Sequence, residues 1–271
     1  MPELPEVETT RRGLEPHLLQ QRITKVIIRN RKLRWPVPSQ LARELDQKII
    51  RAVLRRGKYL LLRFDHGNLI LHLGMSGSLR ILPIDSAPQK HDHVEWQLGN
   101  GQCLRLRDPR RFGAVLWTRR DPLKHKLLAG LGPEPLLNEF DGEYLFKCSR
   151  GRKQAIKPFI MDSKIVVGVG NIYASEALFM AGIHPLRAAG RISLKRHQQL
   201  SSAIKNILAA AIRQGGTTLR DFTDSDGSPG YFKQQLKVYG RDEQACANCA
   251  RPIRQRTIGQ RASYYCPHCQ T

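Results

Sequence analysis

The chain opens MPELPEVE, with a proline after the first methionine and glutamates at positions 3, 6 and 8. With Met1 removed, Pro2 carries a free secondary amine. An α-amino group titrates near ~7.7–8.0 against ~10.4 for lysine, so roughly a tenth of it is neutral at pH 7. A neutral amine is a nucleophile that forms Schiff bases with sugar aldehydes. Glu3, the next residue, is placed to transfer the proton. The same stretch also reads as a helix start. Proline is tolerated in the first helical turn, and carboxylates there complement the helix dipole. That reading accounts for Pro5, Glu6 and Glu8 but not for Pro2 and Glu3, which precede the helix. Glu6, one turn past Glu3, serves either the amine or the dipole.

A second group of residues suited to chemistry closes the chain. Of six cysteines, Cys103 and Cys148 stand alone, while Cys246, Cys249, Cys266 and Cys269 form C-x2-C-x16-C-x2-C. Two such pairs joined by a hairpin make a tetrahedral zinc site, and four thiolates leave no open position, so the zinc is structural. Two disulfides are the alternative, disfavoured in a reducing compartment. His268, between two ligands, is expected to be exposed. So short a segment draws its folding energy from the metal.

Lys+Arg number 45 against 23 Asp+Glu in 271 residues, a net +22. That imbalance points to a polyanion, with nucleic acid ahead of an anionic membrane surface. No apolar run approaches the ~18 residues of a membrane span, and the acidic N-terminus has no signal-peptide core. A cytoplasmic monomer is expected.

The elements that position these groups follow from pattern. A helix is expected over 7–18. Strands are expected over 23–35, 48–57, 58–64, 68–74, 93–98, 102–108 and 114–118, where CLRLR alternates as a half-buried strand does. Helices follow over 142–150, 154–161, 171–182 and 193–214. The last carries an apolar stripe of Leu194, Leu200, Ile204, Ile207, Leu208 and Ile212 and ends at GGTT. Residues 217–231 read as a flexible loop. The fold class is therefore α+β. An N-terminal helix and β-sandwich span 1–132, a helical DNA-binding domain spans 133–240, and a zinc-binding β-hairpin spans 241–271.

Nine stretches, in order, resemble one family. They are MPELPEVET, RRGKYLL (55–61), HLGMSGSLR (72–80), KHDHV (90–94), DPRRFG (108–113), GVGNIYASE (168–176), GGTTLRDF (215–222), GYF (230–232) and QRASYYC (260–266). Together they are similar to formamidopyrimidine-DNA glycosylase, a bacterial enzyme for oxidised purines such as 8-oxoguanine. The related endonuclease VIII prefers oxidised pyrimidines and typically begins PEGPE, so Leu4 favours the purine enzyme. A non-catalytic zinc protein that binds nucleic acid fits the charge and the hairpin, but has no use for Pro-Glu directly after Met.

The resemblance implies the following roles. Pro2 attacks C1′ of the damaged nucleotide, the base leaves, and Glu3 is the acid/base. Lys58 lies at the lesion phosphates and donates a proton in β-elimination, and Arg261 serves the δ-elimination. His91, Arg110 and Asn171 contact DNA, with Asn171 in a helix–two-turn–helix motif. The loop 217–231 closes over the everted base. Arg152 stands where members commonly have lysine, and binds phosphate with a fork instead of a point charge. The partner is duplex DNA holding an oxidised purine or an abasic site. Met75, Arg110 and Phe112 are the side chains suited to filling the space of an everted base; otherwise Met75 is core and Phe112 a strand-end anchor. Lys58 and Arg261, taken alone, also read as part of a solvated face or as plain phosphate contacts. Arg254 and Arg256 join Arg261 as a basic hairpin probe. His72 is expected in the core.

Overall fold

The computed structural model describes residues 1–216 and 235–271. These form two compact units: residues 1–129 with the chain just after the last long helix, from Gln214, and residues 130–213 with the chain from residue 235 onward. The expected loop 217–231 lies outside the described residues.

The first unit begins with α1 (Leu4–Leu18), whose Val7, Leu14 and Leu18 are buried. The helix starts three residues before the apolar periodicity does, because Glu3 caps it and a proline occupies its first turn. Next come β1 (Ile23–Ile28), a short α2 (Leu41–Leu45), β2 (Ala52–Arg56), β3 (Tyr59–Phe64), β4 (Gly67–His72), β5 (Ser78–Pro83), β6 (Asp92–Leu98), β7 (Gln102–Arg107) and β8 (Ala114–Thr118). Two four-stranded antiparallel sheets result, ordered β1-β6-β7-β5 and β2-β3-β4-β8. Leu62 and Leu71 of one sheet, Trp96, Leu104 and Leu106 of the other, and Leu14 and Leu18 of α1 share a single core. Each such side chain contributes ~1.5–3 kcal/mol by leaving water. This is the expected sandwich.

Four details differ from the expectation. The short α2 has only five residues, too few for a helical period to signal it. Strand β5 is not signalled by the pattern: SLRILP is short, follows a glycine-rich turn and ends in proline, and it is a strand because it pairs with β7 from Ser78↔Arg107 to Pro83↔Gln102. The first strand stops at Ile28, well short of residue 35. In β7 the alternation implies a half-exposed strand, yet Cys103, Leu104, Arg105 and Leu106 are all buried. Arg105 is buried because it has partners: Glu95 Oε2 at 2.9 Å and the carbonyls of Ser86 and Ala87 at 2.9 and 3.2 Å.

The second unit holds α3 (Gly142–Ser149), α4 (Ile156–Met161), α5 (Asn171–Met180) and α6 (Leu194–Arg213), then the hairpin β9 (Arg254–Ile258) and β10 (Arg261–Tyr265). The stripe of α6 is buried from Leu200 to Ile212, while Leu194, its first residue, is exposed. Gly215 and Gly216, with φ of +74° and +79°, turn the chain out of the helix. Among the described residues, no helix is long and apolar enough to cross a membrane.

Candidate functional site

In the first unit Met1 is exposed while Pro2, Glu3 and Glu6 are buried. The Glu3 N–H donates to Glu6 Oε2 at 2.8 Å, half of a capping-box pair. The backbone immediately after Pro2 is thus fixed by Glu6. Gly216 lies on the other side of that carboxylate, where an added Cβ would sit 3.1 Å from Glu6 Oε1. Glycine is needed there twice over, for this approach and for its positive φ.

Two residues on, Glu8 collects three guanidinium groups: Arg11 at 3.1 Å, Arg12 at 2.9 Å and Arg55 at 3.0 Å. Burial pushes its carboxyl up, but the hydrogen bonds from Arg11, Arg12 and Arg55 outweigh burial and hold it below the usual range. Arg55 also donates to the Gly57 carbonyl at 3.0 Å. Gly57, with φ +56°, makes the β2–β3 turn and hands the chain to Lys58. Glu8 and Arg55 therefore tie the helix that begins at Pro2 to the turn that carries Lys58.

His72, expected in the core from the sequence, is only half-buried. It pairs across strands with Tyr59, ring centroids 4.8 Å apart, and its Nδ1 accepts the Gly74 N–H at 3.0 Å. Burial, then the charges of Lys58 and Arg34, push its pKa down to about 4. The ring is neutral at pH 7 and its Nε2 carries the proton.

The loops holding Met75 and Arg110–Phe112 meet. Ser76 Oγ donates to Asp108 Oδ1 at 2.9 Å, and the Gly113 N–H donates to Asp108 Oδ2 at 2.7 Å. Arg110 and Phe112 are exposed, with the guanidinium carbon 5.1 Å from the ring centroid. Met75 is half-buried, so it is not a core residue, and Phe112 projects outward instead of anchoring a strand end. His91 joins them: its carbonyl accepts the Asp108 N–H at 3.1 Å, and its own φ is +76°.

In the second unit Asn171 opens α5. Its Nδ2 donates to the Ala262 carbonyl at 3.0 Å, and its Oδ1 is buried with no hydrogen-bond partner among the described residues. Lys157, almost fully buried, donates to the same carbonyl at 3.1 Å and to Ser263 Oγ at 2.8 Å. Two donors thus hold the residue next to Arg261, which is exposed at the start of β10. Arg254 and Arg256 are exposed on β9, and Arg254 pairs with Glu243 at 2.6 Å. Arg152 is exposed between α3 and α4, its backbone held by Ser149 and Gly190.

Glu176 is fully buried and accepts the N–H groups of Lys237, Val238 and Tyr239 at 2.8, 3.0 and 2.8 Å. Burial pushes its carboxyl up against the lowering effect of those three amides. Tyr239 then packs edge-on against Tyr264 of the hairpin at 5.0 Å. Sequence reasoning missed Lys157 and Glu176. The available signal was a charge on an otherwise apolar helix face, IKPFI and ASEALF.

The four C-terminal cysteines come together, all Sγ atoms within 4.8 Å of one another and none in a disulfide. The Cys246–Cys269 and Cys249–Cys266 Sγ pairs are 3.9 and 3.5 Å apart. Tetrahedral bonds of ~2.3 Å to a central ion put sulfurs about 3.8 Å apart, so the cluster fits a metal. The Asn248 and Cys269 N–H groups point at Cys246 and Cys266 sulfur at 3.4 Å, as outer-shell donors to thiolates do. His268 is exposed, outside the cluster.

A buried N-terminal proline–glutamate pair on a β-sandwich, a helix-opening asparagine and a four-cysteine hairpin are combined in one chain, and solved structures that share this fold are complexes with DNA containing Fapy-dG or an abasic site. The sequence matches the formamidopyrimidine-DNA glycosylase N-terminal domain over residues 1–115 and that family's H2TH domain over 131–223. The formamidopyrimidine-DNA glycosylase of Syntrophotalea carbinolica is 60% identical over 270 residues, covering 100% of both chains. A Lactococcus lactis Fpg variant solved with Fapy-dG-containing DNA superposes with a TM-score of 0.93 at 34% identity, covering 100% of both chains. A MutM structure with DNA containing carbocyclic 8-oxo-G gives 0.92 at 35% identity, again covering 100% of both chains. This chain belongs to the formamidopyrimidine-DNA glycosylase family.

Proposed function

We propose that the chain is a base-excision enzyme, a DNA glycosylase and AP lyase that removes oxidised purines, 8-oxoguanine and formamidopyrimidines, from duplex DNA in the cytoplasm. Family membership over the whole chain supports this, and the observation that carries it is the N-terminus: Pro2 and Glu3 lie buried side by side, with Glu6 holding the backbone between them and the helix.

In this reading the Pro2 amine, freed of Met1, attacks C1′ and the C1′–N bond to the base breaks. Glu3 moves the proton that the departing base and opening sugar require. The C1′–nitrogen bond becomes an iminium as the sugar opens. Loss of a C2′ proton then expels the 3′ phosphate, with Lys58 as proton donor, and Arg261 serves the elimination on the 5′ side. His91, Arg110, Arg152 and Asn171 hold the DNA, and Met75, Arg110 and Phe112 enter the space the base leaves. Zinc on Cys246, Cys249, Cys266 and Cys269 supplies no chemistry beyond folding the hairpin that presents Arg261.

The test is borohydride trapping on duplex DNA containing 8-oxoguanine. The processed protein should form a covalent complex, and a form with a residue added ahead of Pro2 should bind DNA but not be trapped. Full trapping by the extended form removes Pro2 from the reaction. Trapping on oxidised pyrimidines in preference to 8-oxoguanine overturns the substrate class.

A further inference from the structure

We propose that Ser76 and Asp108 are positioning residues that join Met75, Arg110 and Phe112 into one preassembled insertion unit. The inference rests on the insertion reading above and says how that insertion is made fast.

The topology sets it up. Residues 73–77 carry the chain from β4 to β5, and residues 108–113 carry it from β7 to β8. β4 pairs with β8 in one sheet and β5 pairs with β7 in the other. The two connections therefore cross between the same two sheets at the same end, beginning and ending as neighbours at His72↔Ala114 and Ser78↔Arg107. Loops so placed need not touch. Here they are locked. The Asp108 side chain is fully buried and is shared between Ser76 of one loop and Gly113 of the other. Ser76 Oγ also accepts the Arg110 N–H at 3.2 Å. Gly74 lies so close to the other loop that an added Cβ would collide with the Phe112 carbonyl carbon and the Gly113 nitrogen. His93 Nε2 and the Asp108 carbonyl, 2.8 Å apart, fix the base of the second loop to β6.

The division is consistent. Ser76 and Asp108 lie inside, while Arg110 and Phe112 project out. Polar groups satisfied within a buried network hold a single arrangement, and removing one member leaves its partner unpaired. Everting a base is unfavourable until the vacated space is filled. Side chains already in place fill it without first losing loop entropy at that moment. The structure thus assigns to Ser76 and Asp108 the rate of base eversion, and none of the chemistry after it.

The experiment follows a fluorescent base analogue beside 8-oxoguanine by stopped flow, with cleavage of a pre-formed abasic duplex measured in parallel. Ser76→Ala should slow the eversion signal about tenfold, the effect of one buried hydrogen bond, and leave abasic cleavage within about twofold. Ser76→Thr, which keeps the hydroxyl, should restore the rate, and Asp108→Asn should resemble Ser76→Ala. Met75→Ala separates the two readings. If it slows eversion while Ser76→Ala everts like the parent, the coupling is wrong and insertion stands. If Met75→Ala does not favour one substrate over the other, insertion itself fails and the coupling with it. Equal loss on both substrates by Ser76→Ala means a general folding role and also overturns the proposal.

Discussion

An amine at the end of a chain acts on a sugar carbon only if the chain behind it is held still. Glu6 does this through the Glu3 N–H, and the Glu3 carboxylate accepts the Glu6 N–H in return; in the proposed function the same carboxyl transfers the proton. Glutamine at position 3 keeps a capping oxygen and removes the acid. Glu3→Gln is therefore expected to cut excision of 8-oxoguanine by ~10²–10⁴, the usual worth of a positioned acid/base. Cleavage of an abasic duplex, where the glycosidic bond is already gone, should be largely spared. Single-turnover rates on the two duplexes at one salt concentration make the comparison, and parent-like excision would leave Glu3 as a helix cap alone. The four cysteines were legible in sequence because each C-x2-C pair has ligand spacing, and the structure brings the two pairs together; Pro2 and Glu3 stood out because they precede the helix they adjoin. Lys157 was not legible. Its partners, Ala262 and Ser263, lie 105 and 106 residues away, and only the fold reveals that this one of 45 basic residues is buried. Ser76 and Asp108, 32 residues apart, were hidden for the same reason.

At the scale of elements, α1 must keep a fixed relation to the β2–β3 turn if Pro2 and Lys58 are to meet one nucleotide. The Glu8–Arg55–Gly57 chain of bonds supplies that relation. Glu8 has its folded pKa lowered, so its contribution is complete above the ordinary glutamate value of ~4.3 and is lost as pH falls through the lowered value. Glu8→Gln should cost roughly 1–3 kcal/mol at pH 7, the worth of hydrogen bonds to a charged group, and much less at a pH below the lowered value. Denaturant melts at the two pH values check it; an equal loss at both means the ionised carboxylate is not the source. The hairpin is a second element with its own support. Cys246→Ser should release it and weaken binding to an abasic-site analogue. The first unit should stay folded, which is readable because Trp35, Trp96 and Trp117 all belong to it. Unchanged affinity in a metal-free variant would separate the hairpin from DNA binding. Helix and strand periods gave most elements. They missed β5 and the burial of Arg105, because a six-residue strand between a glycine turn and a proline, and an arginine paired with Glu95, are decided by tertiary partners.

For the molecule as a whole, a net +22 sets the affinity scale. Each phosphate neutralised by Lys or Arg releases counterions, so log K falls with log[salt] by about 0.9 per contact. The proposed contacts divide between the two units: Lys58 and Arg110 in the first, Arg152 and Arg261 in the second. If both units grip the same duplex, Lys58→Ala and Arg152→Ala should each flatten the slope by about one, and the double variant by about two. Glu3→Gln should leave the slope unchanged, since a buried carboxylate neutralises no phosphate. In the proposed function charge supplies binding and the N-terminal pair supplies chemistry, and one titration series separates the two. The informative substrate is an abasic-site analogue that resists cleavage, so that affinity is read without turnover. A slope that Lys58→Ala flattens and Arg152→Ala does not would confine DNA binding to the first unit and remove Arg152 from the interface.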